Sequence, residues 1–284
     1  MTKILILGGG FSGVGVAQYL QKFKKKQDLE ITLVNDHNYF IFKPMLPGVA
    51  CGAIEASHIV NPIRTVCKKT QFILGSVHEI NHAKQTVVVA EKDFTRQHTL
   101  VYDHLVIAMG LSTDLTRIPG MTNHSYPICT LGDAIFIRNE IINKLEIAST
   151  ESNIDVKRRL LTFTCAGAGF SGVETMGAIA DMIKSAIKHY SSISVEDIRL
   201  ILIQSGERIL PELSPSLSKY AHKQLEKRGI EIRINTAIEE VSQDSILLSN
   251  QETIPTNTVI CSIGNSPHKV IQQLPFCNTK GRLD

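Results

Sequence analysis

The sequence predicts an α/β fold of two doubly wound domains of related design, each a parallel sheet accompanied by a small antiparallel meander. One glycine signature occurs twice, as Gly8-Gly9-Gly10-Phe11-Ser12-Gly13 and as Gly167-Ala168-Gly169-Phe170-Ser171-Gly172. Each copy follows an apolar, strand-like run (Lys3 to Leu7, then Leu160 to Ala166) and leads into a helix-like run. The order strand, glycine turn, helix, strand, meander, strand, glycine then occurs twice along the chain, as expected of two Rossmann-like halves.

Taken in order, residues 3 to 7 read as a strand, 11 to about 26 as a helix, and Glu30 to Val34 as a second strand. A right-handed crossover makes these two strands parallel. The Pro- and Gly-rich stretch Phe40 to Gly52 is too interrupted for long regular structure. A short helix is expected over Ser57 to Val66, with Pro62 opening its last turns. Alternating runs at Phe72 to Val77, Thr86 to Ala90 and His98 to Val101 read as the first meander. His104 to Ala108 is a buried strand ending in Met109-Gly110. After Gly120, turn-forming residues lead to a helix from Gly132 to about Ala148. Strand 160 to 166, helix 170 to 190 and strand Arg199 to Ile203 form the second βαβ unit. A helix from Ser214 to Arg228 stops at Gly229, and Ile230 to Ile234 is a strand. Short strands follow through Ile254, and Thr258 to Ile263 is the last buried strand, ending at Gly264. The expected domains are 1–120, resumed near 265–284, and 121–264.

In this strand–turn–helix context the glycines have a physical purpose: a tight turn, close backbone approach to a pyrophosphate, and close helix–strand packing. Phosphates would sit at the helix N-terminus, where free amides and the macrodipole favour negative charge. Two such turns imply two dinucleotides on one chain, and so electron transfer between them. An acidic residue about twenty positions past each turn commonly holds a ribose hydroxyl. Here that place is held by Asn35, followed by Asp36, and by Gln204. Successive strand residues point to opposite faces, so only one of Asn35 and Asp36 faces an adenosine, and Asn35 is favoured. A neutral Gln204 would not repel a phosphate on the ribose 2′ position, and Arg208 is near enough in sequence to pair with one. A relaxed choice between dinucleotides with and without a 2′-phosphate is therefore expected at the second turn.

At 284 residues there is room for two domains, each with its own core. Apolar residues make up 43% and charged residues 20%, an ordinary globular balance, and a net charge of +3 gives no reason to expect nucleic acid. The basic cluster of Lys22 with Lys24-Lys25-Lys26 reads as a solvated face near the end of the first helix, the alternative being attraction to a membrane surface. The lysine-then-apolar start resembles a signal peptide, but its glycines complete a nucleotide turn. No run approaches the roughly 20 apolar residues of a spanning helix. Six cysteines without close pairs and ten scattered histidines offer neither a disulfide framework nor metal spacing, so no metal is expected and a reducing cytosol is.

Four stretches go further: GGGFSGVGVAQYL, ITLVNDHNYFIFKPMLPGVACG, YDHLVIAMG, and GAGFSGVETMGAIA with the later ILIQSGERILP and VICSIGNSP. Together they resemble the pyridine nucleotide–disulfide oxidoreductases, and within them the type II NADH dehydrogenases, single-subunit NADH:quinone oxidoreductases. The resemblance implies that Gly8, Gly10 and Gly13, with Phe11 and Ser12, hold FAD, and that Gly167, Gly169, Ser171 and Gly172 hold NADH or NADPH. It places Pro44 in a loop against the flavin ring, and Ala108 with Gly110 in the segment closing the FAD site. Val77, Asn35, Asp36, Gln204 and Gly264 complete the cofactor-binding set. Lys43 and Glu174 become the candidate catalytic residues. The bland alternatives are a solvated loop lysine and a carboxylate placed in the first turn to suit the helix dipole. The implied acceptor is a quinone, at the cytoplasmic face of a membrane touched through a C-terminal region; a homodimer is one candidate assembly, with the oligomeric state left open.

The resemblance also implies a further strand ending in Gly-Asp beyond Cys277 to Asp284, so the chain reads as a fragment with an open sheet edge in its first domain. Two rivals remain. Sulfide:quinone oxidoreductases share the architecture and use a cysteine pair, for which Cys129 and Cys165 are candidates. A non-enzymatic redox sensor or scaffold would bind dinucleotides without turnover.

Overall fold

The computed structural model describes residues 1–91 and 96–275, apart from the Lys26 side chain. The chain divides into two compact units, one of residues 1–42, 60–112 and 265 onward, the other of Lys43–Ile59 and Thr113–Gly264.

In the first unit four parallel strands lie in the spatial order Gln71–Leu74, Leu29–Asn35, Thr2–Leu7, His104–Ile107. Thr2–Leu7 and Leu29–Asn35 run in register from Thr2 opposite Leu29 to Leu7 opposite Val34. One face of the sheet is covered by the helix Phe11–Leu20, with Val14 and Ala17 against Ile6, Ile31, Leu33 and Phe72. The other face meets the antiparallel meander Ser76–Asn81, Thr86–Ala90, Gln97–Val101, where Leu5, Leu7 and Val34 pack with Val87, Val89 and Tyr102. Burial on both faces explains why Leu5, Ile6 and Leu7 are consecutive and apolar rather than alternating.

The second unit repeats the scheme. Five parallel strands stand in the order Tyr126–Pro127, Thr258–Cys261, Thr162–Ala166, Arg199–Ile203, Ile230–Arg233. The antiparallel meander Ile238–Val241, Ser245–Leu248, Thr253–Pro255 closes one face around Ile246, Leu248, Ile254, Ile201 and Val259. The helix Leu131–Thr150 begins at a reciprocal capping box, in which Asp133 N–H donates to Thr130 Oγ1 (3.1 Å) and Thr130 N–H to Asp133 Oδ2 (2.8 Å). In both units the chain-order pattern of the four core strands is third, second, first, fourth. The switch point between first and fourth strands is where such sheets bind ligands.

Several boundaries differ from the sequence reading. The run 72–77 breaks at Gly75, whose N–H donates to the Asn35 carbonyl (2.9 Å), so Gln71–Leu74 joins the parallel sheet and only the remainder enters the meander. Val60–Pro62 is a strand paired with Tyr39–Ile41 rather than part of a helix over Ser57 to Val66, and a helical turn starts only at Ile63, after Pro62. Phe40 to Gly52 takes in the last two residues of that Tyr39–Ile41 strand and a short helix, Leu46–Ala50. The first helix ends at Leu20, so the lysine cluster lies beyond its last turn; Lys24 Nζ donates to the Lys69 carbonyl (2.8 Å) instead. The expected domain boundary near 120 falls at Ser112 and Thr113. Lys43–Ile59 belongs to the second unit because Leu46, Pro47, Val49 and Ala50 are buried where Leu46–Ala50 packs on Leu131–Thr150 and on Phe170–Ala186. Cys277 to Asp284 lie outside the described residues.

Candidate dinucleotide-binding sites

Both glycine turns are built the same way. Where the chain leaves the first strand, Gly8 N–H donates to the Val34 carbonyl and Gly167 N–H to the Ile203 carbonyl, each at 2.8 Å. Gly8 (φ +106°) and Gly167 (φ +99°) take a backbone conformation that L side chains avoid. A Cβ on Gly13 would stand 1.8 Å from the Gly8 carbonyl oxygen, and one on Gly172 1.9 Å from that of Gly167, so both positions demand glycine for helix–strand contact. A Cβ on Gly10 or on Gly169 would meet nothing within 4 Å. These middle glycines face open space, as close approach of a pyrophosphate requires.

The helices Phe11–Leu20 and Phe170–Ala186 start at Gly10 and Gly169 with no side-chain cap. Their first-turn amides, including those of Phe11, Ser12 and Ser171, lack intrahelical acceptors and are left for an anion. The residues present therefore fit a pyrophosphate at each turn.

The amides past each turn are also matched. Asn35 Oδ1 accepts the Gly9 N–H (2.7 Å) while Asn35 Nδ2 donates to the His37 carbonyl (2.8 Å). Gln204 Oε1 accepts the Ala168 N–H (3.1 Å), and Leu210 N–H donates to the Ala168 carbonyl (2.7 Å). Each amide thus rigidifies the middle of its glycine turn, a role sequence spacing alone did not reveal. A carbonyl oxygen has two lone pairs, so either amide retains an acceptor for a ribose hydroxyl. Asp36 is exposed and bound to His37 Nδ1 (2.8 Å), and it shares with Asn35 the groove formed by Gly8, Val34, Gly75, Ser76, Val77, Met109 and His268. Asn35, Asp36, Gly8 and Val77 line this one groove; His268, from far along the chain, was not foreseen.

Ala108 abuts the same turn, since a Cβ on Gly8 would collide with its carbonyl, and Ala108 N–H donates to the Leu7 carbonyl (2.8 Å). Gly110 (φ +70°) is open to solvent. Gly264 (φ +88°) crosses Asp114 so closely that a Cβ would lie 2.6 Å from its carbonyl oxygen, and its own carbonyl accepts the Asp114 N–H (2.7 Å). Gly264 is required by that crossing whether or not a ligand is near. In the second unit Arg208 Nη2 donates to the Pro211 carbonyl (2.8 Å) and lines a groove with Lys219, His222 and Lys223.

Lys43 and Pro44 are exposed in a single 3-10 turn, Lys43–Met45, of the second unit. Glu174 lies one residue past the first turn of its helix, which contains no acidic residue, so it does not hold the first-turn place that the helix-dipole alternative gave it. Its side chain is surface-exposed, yet partial desolvation pushes its carboxyl above the ordinary value. Neither Lys43 nor Glu174 makes an ion pair among the described residues. Cys165 is fully buried, and burial pushes its thiol up to about 12, which leaves it a protonated, packed thiol. Cys129 is partly exposed, 2.8 Å from Thr113 Oγ1. No group of three metal-ligating side chains occurs among the described residues, and none of their helices is long and apolar enough to cross a membrane.

Comparison with known proteins agrees with this geometry. The sequence profile of the family described as pyridine nucleotide-disulphide oxidoreductase matches residues 2–283. An external alternative NAD(P)H-ubiquinone oxidoreductase B2, mitochondrial, of Arabidopsis thaliana is 26% identical over 95% of this chain and 48% of its own length. The type II NADH:quinone oxidoreductase Ndh of Mycobacterium tuberculosis is 30% identical over 88% of this chain and 54% of its own. Among solved structures, NDH2 from Plasmodium falciparum in complex with NADH superposes with a TM-score of 0.89 at 23% identity, over 99% of this chain and 58% of that one. The sulfide:quinone oxidoreductase of Aquifex aeolicus gives 0.74 at 19% identity, over 98% of this chain and 63% of that one. At such identities these two structures establish the shared fold. The chain spans about half the length of the curated relatives it matches.

Proposed function

The chain belongs to the pyridine nucleotide–disulphide oxidoreductase family, and from that premise we propose that it oxidises NAD(P)H by way of FAD and passes the electrons to a quinone. The observation that carries the reading is the pair of matched glycine turns, each with an open middle glycine and an uncapped helix start. FAD is assigned to the first turn and NAD(P)H to the second, by the order in which the resemblance places them. The names of the relatives, which are NAD(P)H- or NADH-dependent quinone oxidoreductases, support the donor and the acceptor.

Bound FAD would accept a hydride from NAD(P)H and release two electrons to the acceptor. The polypeptide supplies position and electrostatics. Amides at Gly10 to Gly13 and Gly169 to Gly172 would hold a pyrophosphate by hydrogen bonds, favoured by the dipole of each helix start. Asn35 and Gln204 hold the turns in shape and offer an oxygen to a ribose. With an amide rather than a carboxylate at 204, and Arg208 four residues on, the second unit accepts NADH and NADPH with little discrimination. Glu174 is assigned to charge handling near the reacting nicotinamide and Lys43 to the loop facing the flavin. In this reading the enzyme works peripherally at the cytoplasmic face of a membrane. Cys165, buried and protonated, argues against attack on sulfide.

Anaerobic titration of the purified, FAD-loaded chain with NADH tests the reading. Stoichiometric bleaching of the flavin spectrum, and reoxidation by a soluble quinone, are expected. Tight NADH binding with no bleaching would instead establish a dinucleotide-binding module without turnover. A kcat/KM ratio for NADH over NADPH above about a hundredfold, nearly 3 kcal/mol, would overturn the relaxed choice of donor.

A further inference from the structure

His268 lies beyond every motif described above, yet the fold returns it to the first glycine turn. Its position is set by its neighbours. Val270 and Leu274 are buried against Leu5, Leu7, Val34 and Tyr102. Ser112 Oγ donates to the Ser266 carbonyl (3.2 Å), and Gln272 Nε2 to Ser266 Oγ (3.2 Å) and the Pro267 carbonyl (2.6 Å). The half-buried imidazole forms a wall of the groove lined by Gly8, Asn35, Asp36, Ser76 and Val77.

The ring has a defined donor. Val270 N–H donates to His268 Nδ1 (3.4 Å), so in the neutral ring the proton sits on Nε2. Nε2 has no partner among the described residues. With a pyrophosphate over Gly8 to Gly13, the residues at the end of the second strand, Asn35 and Asp36, mark the adenosine side of the site. His268 is on that side. Burial holds its ring below the ordinary histidine value, with the Asp36 carboxylate opposing, which favours the neutral, single-donor form.

We propose that His268 is a binding residue for the adenosine half of the dinucleotide in the first unit, donating its Nε2–H to a ribose oxygen or adenine nitrogen. The inference rests on the assignment of FAD to that unit, and names a residue that the glycine motif and the place past the second strand do not contain.

Because His268 also caps the turn at Val270, the informative variant is His268→Asn, which keeps a capping acceptor but cannot reach the position of Nε2. Binding of FAD, of ADP and of FMN to the apoprotein of the full chain is measured by flavin fluorescence quenching and by calorimetry for ADP. His268→Asn is expected to weaken FAD and ADP in parallel, by about fivefold to tenfold, the scale of one hydrogen bond. FMN, which lacks the adenosine half, is expected to be unaffected. His268→Gln, whose amide nitrogen reaches the Nε2 position, is expected to recover part of the loss. Unchanged FAD and ADP affinity in His268→Asn would show that His268 serves only as a cap, and would overturn the inference while leaving the FAD assignment standing. A wild-type chain that takes up neither FAD nor ADP would overturn the assignment, and the inference with it.

Discussion

At the scale of single residues, one amide oxygen in each unit holds the middle of the glycine turn: Asn35 on Gly9 and Gln204 on Ala168. In the proposed function the second of these is the more consequential, because Gln204 would set the charge met by the 2′ position of the nicotinamide dinucleotide. Gln204→Glu keeps an acceptor for the Ala168 N–H and adds a negative charge. NADPH is expected to lose about tenfold or more in kcat/KM, roughly 1.4 kcal/mol, while NADH changes less. Steady-state kinetics with both donors reads the outcome; an equal loss for the two would remove Gln204 from donor choice. The sequence showed that a carboxylate was missing at both places. It did not show that the amides stabilise the turns, because hydrogen bonding across 26 and 36 residues is decided by register.

At the scale of elements, each glycine turn joins a buried parallel strand to a helix whose start is left uncapped. Gly172 makes that junction possible, since its Cβ would overlap the Gly167 carbonyl and approach Ser262 Oγ to 2.7 Å. Gly172→Ala is expected to push the helix Phe170–Ala186 off its strand, at a cost of about 1–3 kcal/mol for overpacking. NAD(P)H affinity should fall while FAD stays bound, because the first turn is untouched. Difference spectra on NADH addition, with the flavin spectrum as internal control, separate the two effects. Loss of flavin together with NADH would mean that the two turns do not act independently. Existence and type of these elements were legible from apolar runs and glycines. The ends were less so: the strand Val60–Pro62 is a strand through pairing with Tyr39–Ile41, which a short segment carrying Pro62 does not advertise.

At the scale of the whole molecule, pH-dependent stability sums contributions of opposite sign. Burial works against the charge of Glu231, but the guanidiniums of Arg199 (3.0 Å) and Arg233 outweigh it and hold the carboxyl below its ordinary value. The unfolded chain therefore binds the proton first, and this stability is full above about 4.5 and lost as the pH falls through the folded value. His268, held below 6.5 by burial, also favours the folded state above its unfolded value, and its contribution is lost as acidification brings the pH down through the folded one. Glu174 runs the other way: its raised carboxyl contributes at acid pH, and that contribution is lost as the pH rises through the folded value. The unfolding midpoint is expected to fall in two stages below neutrality, with His268→Asn removing the upper stage and Glu231→Gln the lower. Thermal melts from about pH 2 to 8 test this; a single stage, unchanged in His268→Asn, would exclude the histidine.

The sequence by itself determined the two glycine turns, the strands and helices around them, and the family, because these follow from local backbone demands and from the burial of consecutive apolar residues. Only the tertiary structure decided that Lys43–Ile59 belongs with the second unit, that Asn35 and Gln204 clamp their turns, and that His268 stands in the groove of Asn35 and Asp36. The reason is physical. Periodicity and turn chemistry act between residues close in the chain, whereas a groove wall is made by whichever distant side chain the packing of Val270 and Leu274 brings back to it.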